Sequence, residues 1–196
     1  MSHISLLKAF SILRNGSDYQ IGEGHNWKRG VLNTAIGLLV AFPIANMLNA
    51  LPYRGAIPPE APLIKSVGNF TGEHTYSSKA IQRYTGIFHA ADGRSYPVQD
   101  GALNSSHEIM SNMNSGKEFY VEGFVLEDGQ GFFWPTLVTM TDGRALLSRE
   151  KMSKNLKSNR EPFGEILIWE YAATLPLWAI SLSNAIKLKK NLSRVN

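Results

Sequence analysis

The sequence predicts a membrane protein in which two transmembrane α-helices flank a small, mostly-β domain. An OB-like barrel is the first choice for that domain and a small β-sandwich the second. Three observations carry this. Apolar residues concentrate near 30–52 and 164–186, whereas the stretch between them has ordinary soluble composition. Aromatic and basic residues bound both apolar stretches. The middle of the chain carries three Asp-Gly dipeptides set between runs of aromatic and β-branched residues, a pattern of strands and tight turns.

The segment 1–29 reads as a cytoplasmic tail. Ile4, Leu6, Leu7, Phe10, Ile12 and Leu13 give a partly amphipathic helix ended by Asn15-Gly16, suited to the inner membrane face or to a cytoplasmic partner. Asp18 to His25 reads as loop. The first transmembrane helix follows over 30–52, without a charge inside it. Lys28 and Arg29 bound it on one side and Arg54 on the other, with Trp27 and Tyr53 at headgroup level. Pro43 predicts a kink that a membrane helix tolerates.

The second transmembrane helix is assigned to 164–186. Trp169 and Tyr171 mark one end, and Lys187, Lys189 and Lys190 the other. Pro176 predicts a second kink. Glu170 lies about one turn inside, a candidate intramembrane polar site that is also placed to reach water at the interface. Gly37, Ala41 and Ala45 recur every four residues, and Ala179 and Ser183 offer a similar face. Small residues at that spacing suit helix packing, within the chain or between copies.

Charge sets the expected orientation. The tails 1–29 and 187–196 hold eight Lys/Arg, and residues 53–163 hold twelve against twelve Asp/Glu. The basic balance therefore belongs to membrane-flanking tails and excludes a nucleic-acid-binding face. Both termini are expected in the cytoplasm of a bacterial inner-membrane protein, with the central domain periplasmic. The basic run from Arg149 to Arg160 lies on the outer side in this arrangement, and long loops are translocated largely regardless of charge.

Within the centre, 53–65 reads as a stiff, Pro-rich spacer with Pro58, Pro59 and Pro62. The β-rich domain spans 66–149. Strands are expected at Val67–Ser77, Tyr84–His89, Arg94–Val98, Glu118–Leu126, Gly131–Trp134, Leu137–Met140 and Ala145–Ser148. Asp92-Gly93, Asp128-Gly129 and Asp142-Gly143 turn the chain as type I′ hairpins. The likeness of AADGRSYPV to MTDGRALLS is too short for a repeat. Asn104–Ser115 is expected as a short helix or loop, and 150–163 as a basic helix or linker.

No chemistry motif emerges. The absence of cysteine excludes disulfides, thiol nucleophiles and thiolate metal ligation. His3, His25, His74, His89 and His107 form no close metal-ligand pair, and there is no nucleophile elbow, P-loop or dinucleotide fingerprint. Neither a cofactor nor a metal is expected. The most unusual stretch is Gly129–Pro135. Phe132, Phe133 and Trp134 are consecutive, and alternation forbids all three from facing one core. They are candidate partner-binding residues, unless the strand is buried on both faces. The first functional expectation is a non-enzymatic envelope protein whose β-domain binds a protein partner, in a complex or an exclusion or immunity role, or self-associates. The second is a sensor or ligand-binding module for a small molecule or glycan, with a concave pocket in the domain. A membrane-bound hydrolase or transferase is the third. The lipid bilayer is a partner in each case.

Overall fold

The computed structural model describes residues 5–76, 82–104 and 106–195, with side chains for 5–73, 85–104 and 106–193. The expectations resting on His3, Ile4, Ser77, Ser105 and the His74 side chain lie outside the described residues. The elements in order are α1 (Leu6–Asn15), α2 (Asp18–Ile21), α3 (His25–Ala50), a 3-10 turn (Leu51–Tyr53), β1 (Ile64–Tyr76), β2 (Gln82–Ala90), β3 (Ser95–Pro97), α4 (His107–Ser111), β4 (Glu118–Val125), α5 (Leu126–Gly129), β5 (Phe133–Met140), β6 (Ala145–Leu147), α6 (Arg149–Arg160) and α7 (Glu165–Val195). They divide into two compact units, Met1–Leu48 with Pro162–Asn196, and Asn49–Glu161.

The helical unit contains two helices long and apolar enough to cross a membrane, within His25–Tyr53 and Glu165–Ser193. α7 continues well past the expected end at Ile186, through the lysines of the tail. α3 and α7 pair antiparallel. The Tyr171 hydroxyl donates to the Leu39 carbonyl at 3.0 Å, and Asn46 Nδ2 donates to Glu170 Oε2 at 2.8 Å. At the other end, Leu32 of α3 clusters with Ala185 and Leu188 of α7. α1 packs onto this end through Ala9 and Leu13, its first turn capped by the Ser5 hydroxyl, which accepts from the Lys8 N–H at 3.2 Å. The following segment is not all loop. Ser17 and Gln20 form a reciprocal capping box around the single turn α2. Arg29 ties that turn down by donating to the Gly16 carbonyl at 2.6 Å.

The β unit is one six-stranded antiparallel sheet in the order β3-β2-β1-β4-β5-β6. β1 serves two neighbours. Ile64–Asn69 pair with β4, and Gly68–Tyr76 pair with β2. Gly68 stands where the two ladders overlap, and a Cβ there would overlap the His89 carbonyl oxygen. Just past β3, Val98 forms a parallel bridge to Phe133 of β5, and the Gln99 N–H donates to the Phe133 carbonyl at 3.0 Å. β3 is an edge strand of the sheet, and counting this single bridge just past it, strand neighbours run β1-β2-β3-β5-β4 and return to β1. Inside this circuit Phe70 lies 5.2 Å from Phe88 and 5.6 Å from Phe119, and Phe88 lies 5.7 Å from Phe133, centroid to centroid. Ile109 of α4 is fully buried in the same core. Each large apolar side chain buried there contributes about 1.5–3 kcal/mol.

Three local expectations are corrected. Residues 133–134 of the first expected segment and 137–140 belong to one strand, β5, which starts after Gly131 and Phe132; its register against β4 slips between Glu122 and Gly123 and leaves Thr136 as the extra residue. The Asp-Gly turns do connect strands, but Asp92 and Asp142 do not take the positive φ that a type I′ turn requires. Only Gly93 and Gly143 do, at 84° and 85°. Both turns are built alike. Asp92 Oδ1 accepts from the Arg94 N–H at 3.0 Å and Asp142 Oδ1 from the Arg144 N–H at 2.9 Å, so the shared Asp-Gly-Arg is shared turn chemistry. In the third connection Glu127, Asp128 and Gly129 all take positive φ, at 51°, 55° and 90°, so the run begins one position early. Finally, neither the spacer nor the basic stretch is free of the domain. Ala61 is buried in its core, and α6 buries Met152 and Leu156 there.

Gly68→Val should destabilise the β unit by about 1–3 kcal/mol or more, because the obstructing atom is backbone. Gly37, with open space around it, should accept Ala at little cost. Thermal unfolding of the full chain in detergent compares the two variants.

Candidate functional site

Alternation along β4 points Val121 one way and Tyr120, Glu122 and Phe124 the other. Over its buried part, Glu122 and Phe124, this outer face of β4 is apolar but for the Glu122 carboxylate, while Glu118 at the strand start is exposed. In register with Phe124 stands Trp134 of β5, so this face also needs cover. It comes from α6 through Leu156 and from the turn-containing segment before β1 through Ile57, Pro58 and Leu63. The cover is incomplete and leaves a cavity of about 210 Å³. Thr136 lies on its wall, its hydroxyl spent on the Glu122 carbonyl at 3.1 Å. Arg149 and Ser153 of α6 complete the lining.

Glu122 is the polar centre of the pocket. Its side chain is 4% exposed, while that of Arg149 is 64% exposed. Arg149 Nη2 and Nε donate to Glu122 Oε2 at 2.6 and 3.1 Å, and the Tyr120 hydroxyl donates to Oε1 at 2.8 Å. The Lys65 ammonium adds a longer contact to Oε1 at 4.0 Å. Burial alone would raise the Glu122 pKa. The hydrogen bonds from Arg149 and Tyr120, with the Arg149 and Lys65 charges, outweigh it and hold the carboxyl below the usual glutamate value. The hydrogen bond to Glu122 and, next, burial push the Tyr120 phenol up. An ionised, fully bonded carboxylate inside an apolar wall costs several kcal/mol of desolvation, which these bonds offset.

The residues singled out by sequence fall in different places. Phe133 is 1% exposed in the inner core and Trp134 is 2% exposed in the pocket wall, where it meets Tyr53 edge-on at 5.8 Å. Phe132, at 44% exposure, is the one open member of the run. A partner surface over the whole run is thereby narrowed to Phe132, since the other two contribute to both buried faces of one strand. Gly37, Ala41, Ala45, Ala179 and Ser183 are all exposed and lie off the α3–α7 contact. Glu170 sits within that contact, bonded to Asn46.

His89 bridges the Thr71 and Ser95 hydroxyls at 2.7 and 2.8 Å across three strands, a structural role. His25 faces Asp18 at 3.3 Å. Among the described residues no group of three His, Asp or Glu side chains could hold a metal. Glu122 and Arg149 went unmarked in the sequence, although a carboxylate at the centre of the strand EFYVEGFV was a usable signal. Compared with known protein families, curated proteins and solved structures, the chain matches none.

The folded protein binds the Glu122 proton less tightly than the unfolded chain does. Its contribution to stability is in place above the ordinary glutamate value of 4.5 and is lost as pH falls through the lower folded value. Arg149→Met should cost about 2 kcal/mol, because it leaves Oε2 of a buried carboxylate without its partner and removes the nearest counter-charge. The double variant Glu122→Gln with Arg149→Met should recover most of that loss and flatten the acid limb of the stability profile. Denaturant melts of the full chain between pH 3 and 7 read both effects, about two pH units either side of the usual value.

Proposed function

We propose that this chain is a non-enzymatic integral membrane protein of the bacterial inner-membrane type that holds an OB-like ligand-binding domain in the periplasm, with both termini cytoplasmic. The pocket beside Glu122 and Arg149 carries the functional part of this reading. It is concave, mostly apolar and anchored by the ion pair of buried Glu122 with exposed Arg149, the make-up of small-molecule sites in general.

Membrane insertion is supported by an inverted burial pattern. On α7 the residues packed inward include Thr174, Ser181 and Asn184, while Ile166, Ile168, Leu175, Ile180 and Leu182 face outward. Only 17% and 11% of the apolar windows of the two long helices are buried within the protein, whereas the core helix of a soluble protein is mostly buried. Polar residues inside and apolar residues outside suit a lipid surrounding. The excess of basic residues in the tails supports the orientation. The OB-like reading is supported by the strand circuit β1-β2-β3-β5-β4, its parallel β3–β5 bridge, and a helix, α4, between β3 and β4.

A second reading, binding of a protein partner or self-association, draws on the exposed small-residue faces of α3 and α7 and on exposed Phe132. These leave a route to helix packing between copies.

The ligand-binding reading is tested on the full chain in phosphatidylcholine nanodiscs, with a panel of small apolar compounds bearing acidic, neutral or basic groups. At least one class should raise the unfolding temperature in a saturable way. Ser153→Trp, which places a ring at the pocket wall from an exposed position of α6, should abolish the shift. No stabilising compound, or an equal shift in the variant, would move the weight to the second reading. Crosslinking from Phe132 in cells then becomes the deciding observation.

A further inference from the structure

We infer that the pocket takes a small apolar carboxylate, with Arg149 receiving the acid group and the walls formed by Phe124, Trp134 and Leu156 receiving the apolar part. The inference rests on the ligand-binding reading above and specifies its chemistry. It starts from an inventory of hydrogen-bonding capacity. Both oxygens of Glu122 are already engaged, Oε2 by Arg149 and Oε1 by Tyr120 with Lys65 beyond it. Little acceptor capacity remains for a cationic ligand. Arg149 is the reverse case. Its Nε and Nη2 point to Glu122, while Nη1 has no protein partner among the described residues and the side chain is largely exposed. A guanidinium presents five donors, so an arginine held by one carboxylate retains donors for a second.

Charge points the same way. Two cations, Arg149 and Lys65, contact a single carboxylate, so the local balance is +1 and an anion restores neutrality. The Ser153 hydroxyl lies on the same wall and supplies one more donor. The Thr136 hydroxyl does not, being committed to the backbone. Size bounds the rest. A cavity of roughly 150 Å³ holds one benzene, so the 210 Å³ here suits a single ring with a short side chain or an alkyl chain of similar bulk. Glu122 then positions the guanidinium, and Arg149 makes the contact with the ligand.

The test is isothermal titration of the full chain in phosphatidylcholine nanodiscs with octanoate, 3-phenylpropanoate, octanol and octylammonium. Ser153→Trp nanodiscs serve as the reference that removes partition into lipid. Saturable binding of a carboxylate, at least about tenfold tighter than octanol and octylammonium, is the expected result, in line with one charge-assisted hydrogen bond. The double variant Glu122→Gln with Arg149→Gln leaves no buried charge, Lys65 being 55% exposed, and should lose that preference while still melting cooperatively. Equal binding of octanol and octanoate, or a preference for octylammonium, overturns the carboxylate assignment and leaves the ligand-binding reading standing. No saturable binding by any of the four overturns the assignment and removes the support for the reading beneath it.

Discussion

At the Phe124–Trp134 end both faces of the β4–β5 ladder are largely apolar, and a sheet with two apolar faces must be covered on both. The inner face closes over the phenylalanine cluster of Phe70, Phe88, Phe119 and Phe133. The outer face, with Phe124 and Trp134, draws in the segments on either side of the strands. The Pro-containing segment contributes Ile57 and Leu63, and the basic helix α6 contributes Leu156. Lys151, Lys154 and Lys157 stay exposed on the far side of α6. What composition alone presents as a spacer and a linker are thus parts of the domain, because the hydrophobic effect rewards any segment able to remove Phe124 and Trp134 from water. The pocket is what remains where that cover is incomplete.

The same constraint explains the charge placed there. Glu122 occupies an outward position in a strand whose outward neighbours are buried, so its carboxylate goes under cover with them. It tolerates this only because Arg149, at the start of α6, and Tyr120, two residues back on the same face, meet it. The helix that covers the face therefore also supplies the counter-ion, and the buried pair ties α6 to β4 in one register. In the helical unit the logic is inverted. There Thr174, Ser181 and Asn184 of α7 are turned inward beside Leu188, while Ile166, Ile168, Leu175, Ile180 and Leu182 face outward, as expected if the surrounding solvent is itself apolar.

Much of this was legible from residue patterns. Two uncharged apolar runs with basic and aromatic ends marked α3 and α7, since length and flanking charge depend only on local sequence. Each of the three Asp-Gly dipeptides marked a strand connection, although the turn type differs from type I′ at Asp92 and Asp142. Asp92 and Asp142 cap their own turns with a carboxylate oxygen and need no positive φ, so glycine alone takes the left-handed position. Pro135 and the slip at Thr136 disguised β5 as two strands, because a bulge shifts the alternation that sequence reading depends on. The aromatic run drew attention for the right reason, an alternation that one core cannot satisfy, but two-sided burial resolves most of it. The pocket was not legible. Glu122 and Arg149 are 27 residues apart, and only the β4–α6 packing, a long-range outcome, brings them together.

In the proposed topology the two helices anchor the chain in the membrane and the pocket lies on the outer side. The chain contains no cysteine, so single substitutions give a clean background for labelling. The most direct measurement is modification of Ser153→Cys and Lys190→Cys in intact cells by a membrane-impermeant maleimide, repeated after permeabilisation. With that topology Ser153→Cys labels in intact cells and Lys190→Cys labels only once the membrane is opened. Labelling in the reverse order, or recovery of the protein in the soluble fraction, would contradict it.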